Sequence, residues 1–134
     1  MADFAEQLKG RLAAYAPLTA LTGAGKIHWD DIPQATVLPY VRLAIISDPR
    51  PEHLRGYQSS RVSRVQADCM ATSWGRARDI AQKIIDGTAD PGVTGGIHFG
   101  RIKAEGPRRG PTETVGTDRV FMASLDLLVE HKLA

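Results

Sequence analysis

Apolar and polar positions change period several times along this chain, and each change predicts an element. Phe4, Leu8, Leu12 and Tyr15 recur at spacings of four, four and three, with Lys9 and Arg11 off that line. This predicts an amphipathic helix within the first sixteen residues. Pro17 stops it, because the residue before a proline is pushed out of the α region. Pro17 to Leu21 adds one more turn before Gly23 and Gly25 break the pattern. A short extended piece around Ile27 follows, and Asp30-Asp31-Ile32-Pro33-Gln34 reads as a turn or loop.

Leu38 to Ser47 is dense in Val, Ile, Leu and Tyr, which predicts a well-buried strand, with Pro39 marking its start or an edge. From Asp48 to Ser60 the chain turns to Pro, Arg, Gly and Ser, a long exposed loop of the kind that is usually functional or flexible. Arg61 to Ala71 is a second strand, with Val65, Ala67 and Cys69 on one face and Arg64, Gln66 and Asp68 on the other. Thr72 or Ser73 then caps a helix to about Asp86. Its apolar side is Trp74, Ala77, Ile80, Ala81, Ile84 and Ile85, and Gly87 is placed as its stop. A third strand is expected over Ile97 to Glu105, with Ile97, Phe99 and Gly100 near the core. A second loop rich in Gly, Pro and Arg covers Gly106 to Thr117, and a closing strand covers Arg119 to Glu130. The expected architecture is a single α+β domain over residues 1–134. It has a mainly antiparallel sheet of about four strands, two main helices packed on one face, and no internal repeat.

Composition narrows the class. The 134 residues are 43% hydrophobic and 24% charged, ordinary globular values that argue against disorder. A formal net charge of +2 does not by itself imply nucleic-acid binding. The single cysteine leaves no internal disulfide, which suits a reducing compartment. The start Met1-Ala2-Asp3-Phe4-Ala5-Glu6 has acidic residues and no apolar run, so no secretory signal is expected, and no stretch approaches the roughly 18 apolar residues of a membrane span. The expected setting is the cytoplasm of whichever cell makes the chain.

Candidate chemistry is sparse. Gly23-Ala24-Gly25-Lys26 invites comparison with a phosphate loop, but Ala20 and Ile27 stand where that pattern needs a glycine and a hydroxyl, so it reads as a break after a helix. His28, Asp30 and Asp31 form a crowded stretch without a third converging element, and read as surface turn residues rather than a metal site. His53, His98 and His131 show no paired spacing and read as surface or strand residues. Cys69 lies on the apolar side of its strand, where a buried inert thiol is expected, and Asp68 beside it faces the other way, toward solvent or an interface. Trp74 reads as a core residue. No catalytic, cofactor-binding or metal-binding residues are assigned. The arginine-bearing loops differ. Arg50, His53, Arg55 and Arg61 lie in or beside one, Arg108 and Arg109 in the other, and guanidinium groups suit contacts with neighbouring subunits or with a nucleic-acid backbone. No aromatic interleaving supports base stacking.

Several of these segments together resemble the tail completion proteins, or tail terminators, of long-tailed bacteriophages and related gene-transfer particles. The resemblance rests on four segments in order. Pro17-Leu18-Thr19-Ala20-Leu21-Thr22-Gly23 follows the first helix, and Ile32-Pro33-Gln34 precedes Leu38-Pro39-Tyr40-Val41. Val65-Gln66-Ala67-Asp68-Cys69 runs into an alanine-rich helix, and the last strand alternates Val120, Leu125, Leu127 and Val129. It departs at residues 106–117, where Gly106-Pro107-Arg108-Arg109-Gly110 replaces a shorter acidic and aromatic segment. The resemblance implies a non-enzymatic subunit of a homo-hexameric ring at the head–tail junction of a virion. That ring would cap the tail tube, meet the tail tube protein and the head connector or stopper, and pass phage DNA without contact to a membrane. Another phage or prophage head–tail interaction module, a small α+β enzyme and a DNA-binding accessory protein remain as alternatives. An acid/base pair in a concave site would mark the enzyme, and a strongly salt-dependent affinity for duplex DNA would mark the DNA binder.

Overall fold

Helix α1 (Phe4–Ala13) starts where the Asp3 carboxylate accepts the Ala5 N–H at 3.0 Å, and it buries Phe4, Leu8 and Leu12. Pro17 does more than end it. A second helix, α2 (Ala16–Thr22), begins there with the proline in its first turn, where a missing N–H costs nothing. Strand β1 (Ile27–Trp29) runs parallel to β2 (Tyr40–Ser47), and the hairpin β3 (Glu52–His53) and β4 (Gly56–Tyr57) lies within the segment expected to be a loop. Strand β5 (Arg61–Ala71) leads into α3 (Trp74–Thr88), whose first turn is capped by the Ser73 hydroxyl accepting from Arg76 N–H. The rest is strand: β6 (Gly92–Thr94), β7 (Ile97–Phe99), β8 (Lys103–Arg109), β9 (Glu113–Val115) and β10 (Asp118–Leu133). This computed structural model describes residues 3–33, 36–48, 52–53, 56–57, 60–115 and 117–133.

The main sheet is α+β in class but larger and more curled than four antiparallel strands. Its order is β1-β2-β5-β10-β7-β6, with β8 and β9 also pairing β10. At 16 residues, β10 is long enough to carry several partners in succession. Residues 121–131 pair β5 on one side, while 123–128 pair β8 and 131–133 pair β7 on the other. The third strand expected over 97–105 is therefore two, separated at Gly100–Ile102, and the second runs into the segment 106–117 expected to be a loop. Gly106, at φ 105, lets this edge strand bend there. Three helices, not two, accompany the sheet.

Gly87 does not stop α3, which continues to Thr88. A Cβ at residue 87 would lie 2.8 Å from the Tyr15 ring, so the glycine is there to let that ring approach the helix. The core forms between the helices and one face of the sheet. Leu8, Leu12, Leu18, Ala77, Ile80 and Ile84 meet Val41, Leu43, Val65, Ala67, Leu125 and Leu127, all buried.

Candidate assembly surface

The period of two that turns Val65, Ala67 and Cys69 toward the helices turns Arg64, Gln66 and Asp68 onto the helix-free face of the same strand. Register adds the neighbours. Asp68 lies opposite Arg42 on β2 and Ser124 on β10, and Gln66 lies opposite Asp126. Asp68 does face away from the core, as its position predicts, but it is only 3% exposed. It accepts from Arg42 Nη2 at 2.9 Å, from Gln66 Nε2 at 2.9 Å and from the Ser124 hydroxyl. One strand over, Asp126 accepts from Arg64 Nη2 at 3.1 Å and Arg108 Nη1 at 3.0 Å, and Arg64 also reaches Glu105 at 3.5 Å.

Both carboxyls sit below the usual carboxylate range. Burial alone would push them up, but at Asp68 the bonds from Ser124, Gln66 and Arg42 prevail, and at Asp126 those from Arg108 and Arg64. The result is a polar sheet face on which arginines from β2, β5 and β8 are each held by a carboxylate. The three arginine side chains keep 40%, 41% and 54% of their exposure, so they remain available to a partner while their charge is locally balanced.

A second polar chain lies where the β3–β4 segment leaves the sheet. The Ser63 hydroxyl is 2.7 Å from Asp48 Oδ1 and 2.8 Å from His131 Nε2. A carboxylate only accepts, so Ser63 donates its one proton to Asp48, and His131 Nε2–H donates to Ser63. This directs the hydroxyl proton away from the imidazole, the reverse of what a base-activated nucleophile needs. Ser63 is fully buried. His131 stacks on Phe4 with ring centroids 3.9 Å apart, and Arg61 Nη1 stands 3.4 Å from Asp48 Oδ2. Burial pushes the His131 pKa down, the Arg61 charge pushes it further, and Asp48 opposes both.

The candidate residues from the sequence are not gathered in one place. Arg61 is at the foot of the 48–60 segment, Arg108 is on the helix-free face, and Arg109 lies over the Trp74 ring at 5.2 Å on the opposite face. His53 is in β3, while Arg50 and Arg55 lie outside the described residues. Trp74 is only partly buried, packed at the border of the core rather than within it. His131, expected at the surface or in a strand, is in a strand but buried. Cys69 is buried, and desolvation together with Asp68 raises its thiol pKa far above neutral. Lys26 directs its ammonium to the carbonyls of Val37 and Pro39, which ties down the loop before β2. Sequence reasoning missed Arg42, Asp48, Ser63 and Asp126 as parts of these networks. Only period-two alternation hinted at Asp126, and nothing local pointed to Asp48 or Ser63.

Among the described residues, no three of His, Cys, Asp and Glu cluster as metal ligands, and no helix is long and apolar enough to cross a membrane. Among comparisons with known proteins, one identifies a family. The profile of the tail completion protein gp17 family matches residues 6–110. No curated protein matches. A chain from the virion of a native gene transfer agent particle superposes with a TM-score of 0.67 at 15% identity, covering 96% of this chain and 92% of that one. A second solved chain gives a TM-score of 0.55 at 15% identity, with coverages of 94% and 92%. At that identity both speak to the fold.

Proposed function

Because the chain belongs to the tail completion protein gp17 family, a family of phage tail structural proteins, we propose that it is a tail terminator. In this reading, copies of the chain form a homo-hexameric ring on the head-proximal end of the tail tube. The ring stops tube growth, joins the tube to the head connector or stopper, and lets phage DNA pass through its centre. It is assembled in the bacterial cytoplasm and resides at the head–tail junction of the virion. Binding and geometry do the work, and no bond is made or broken.

The family match over residues 6–110 carries this reading. The helix-free face supports it physically. A channel for DNA needs contacts that are polar yet weak, and arginines already held by Asp68 and Asp126 release few counterions when a phosphate approaches. The 48–60 segment, with Arg50, His53, Arg55 and Arg61, contacts an adjacent subunit or the tube, and Arg108 and Arg109 contribute from opposite faces of β8.

The test is electron microscopy of lysates from a particle-producing strain with this gene deleted. Filled heads beside unattached tails of uncontrolled length are the expected outcome, and normal joined particles would overturn the reading. Replacing Arg50, Arg55 and Arg61 together with alanine should then weaken attachment while leaving the monomer folded. Unchanged assembly would remove that segment from the contact.

A further inference from the structure

The two edges of the main sheet differ in a way that suits contact between copies of this chain. On the β1 side, pairing with β2 ends at Trp29–Leu43. Asp30 N–H donates to Leu43 O at 2.7 Å, Asp30 takes φ 59, and the chain turns away. Strand β2 continues to Ser47 with no further partner on that side among the described residues. Val41 N–H and Leu43 C=O point toward β1, so the N–H and C=O of Ile45, two residues on, point the same way and have no partner among the described residues. Ile45 and Ile46 are 42% and 54% exposed there. Among the described residues, the exposed carboxylates at the end of β1 are Asp30 and Asp31, while Arg42 is held by Asp68 and Arg61 by Asp48.

At the opposite edge, β6 exposes Val93, and Leu133 at the end of β10 is 69% exposed. Val93 lies opposite His98, and His98 lies opposite Lys132. Arg101 and Lys103 follow past the end of β7, so with Lys132 the cations there outnumber the exposed carboxylates described near this edge, Glu130 on β10 and Asp90 before β6. The rest of that edge is β8, which carries Lys103, Glu105, Arg108, Pro107 and the bend at Gly106, the usual protections against strand addition. Ile45 and Ile46 carry no charge, proline or glycine, and only the register shift between Ile45 and Ser47 interrupts the strand there. The two apolar spots lie at the same end of the sheet, because Ser47 aligns through Arg64 with Leu128, and β6 and β7 follow at 131–133. They stand about 19 Å apart across the sheet, four strand spacings from β2 to β6.

We propose that the acidic, apolar β1–β2 edge of one copy docks head to tail on the basic, apolar β6–β7 edge of a second copy. Asp30 and Asp31 then face Lys132 and Arg101, and Ile45 and Ile46 cover Val93. Two unlike, complementary patches on opposite sides of one subunit are what a heterologous contact requires, and such contacts close into a ring when the rotation permits. This inference rests on the terminator reading and assigns the surfaces that close its ring.

The test uses purified full chains and a deletion strain. An Ile46→Cys chain mixed with a Val93→Cys chain under mild oxidant should give a mixed disulfide in yields on the order of tenfold above either chain alone. A chain with Asp30→Asn and Asp31→Lys should associate about tenfold more weakly in sedimentation, and so should one with Arg101→Glu and Lys132→Glu. Asparagine is chosen because it tolerates the left-handed backbone at residue 30. Mixing the two charge-altered chains should restore association, since the altered acidic edge of one then meets the altered basic edge of the other with opposite sign, and their unaltered edges meet each other. Absence of both the mixed disulfide and the rescue overturns the proposed edges. If the wild-type gene still restores joined tails in the deletion strain, the terminator reading stands and only these edges fall. If deletion leaves particles normal, the terminator reading falls, and the mixed disulfide and rescue alone decide whether two copies meet here.

Discussion

The two faces of the sheet contrast sharply although the same strands build both. On the helix-covered face, β5 and β10 present Val65, Ala67, Cys69, Leu125 and Leu127, fully buried and without a polar atom beyond the inert thiol. On the helix-free face the intervening residues are Gln66, Asp68, Ser124 and Asp126, of which three are nearly as well buried but by polar neighbours. The first face holds the fold by excluding water. The second fixes side chains in place by hydrogen bonds, at little gain in stability, and leaves a polar surface that a partner can meet without rearranging it.

This contrast is open to direct tests. Leu127→Ala removes a fully buried side chain from the covered face and should cost about 2–5 kcal/mol in urea unfolding, losing assembly through loss of the fold. Asp68→Ala leaves Ser124, Gln66 and Arg42 without their acceptor. It should cost about 2 kcal/mol, less than the leucine because Arg42 can turn to water. A larger loss than at Leu127 would erase the distinction between the faces.

Acidity probes the polar chain at the foot of the 48–60 segment. The depressed His131 pKa means that the native state favours neutral imidazole, so the unfolded chain binds more protons as pH falls. Stability should be full above about pH 6.5 and decline below it until the native histidine itself protonates. His131→Gln should flatten that decline in melts between pH 7 and 5. A second loss, from Asp68 and Asp126, should appear only below about pH 4, because their native pKa values lie under the unfolded ones. Arg108→Ala should give the smallest effect, below about 1 kcal/mol in thermal unfolding, since its side chain is half exposed. Under the proposed terminator role, the variant should nevertheless change how steeply a ring's affinity for duplex DNA falls with salt, because Asp126 then lacks one of its two partners.

Much of the architecture was legible because it is written locally. Ser73 before an apolar 3.6-residue pattern places α3, and alternation along residues 61–71 sorts Cys69 from Asp68. The misread segments are those where local cues point two ways. Pro17 both ends and begins a helix, Gly87 looks like a stop but accommodates Tyr15, and glycine and proline over 106–110 look like a loop but bend an edge strand. The apolar periods thus settled that this is an α+β chain with one face of its sheet covered, and the short ordered segments settled its family.

Which polar groups meet was decided only by tertiary structure. Arg42 and Asp68 are 26 residues apart, Asp68 and Ser124 are 56, and Ser63 and His131 are 68. Strand register alone sets those meetings, and a one-residue slip would turn every one of them to the opposite face.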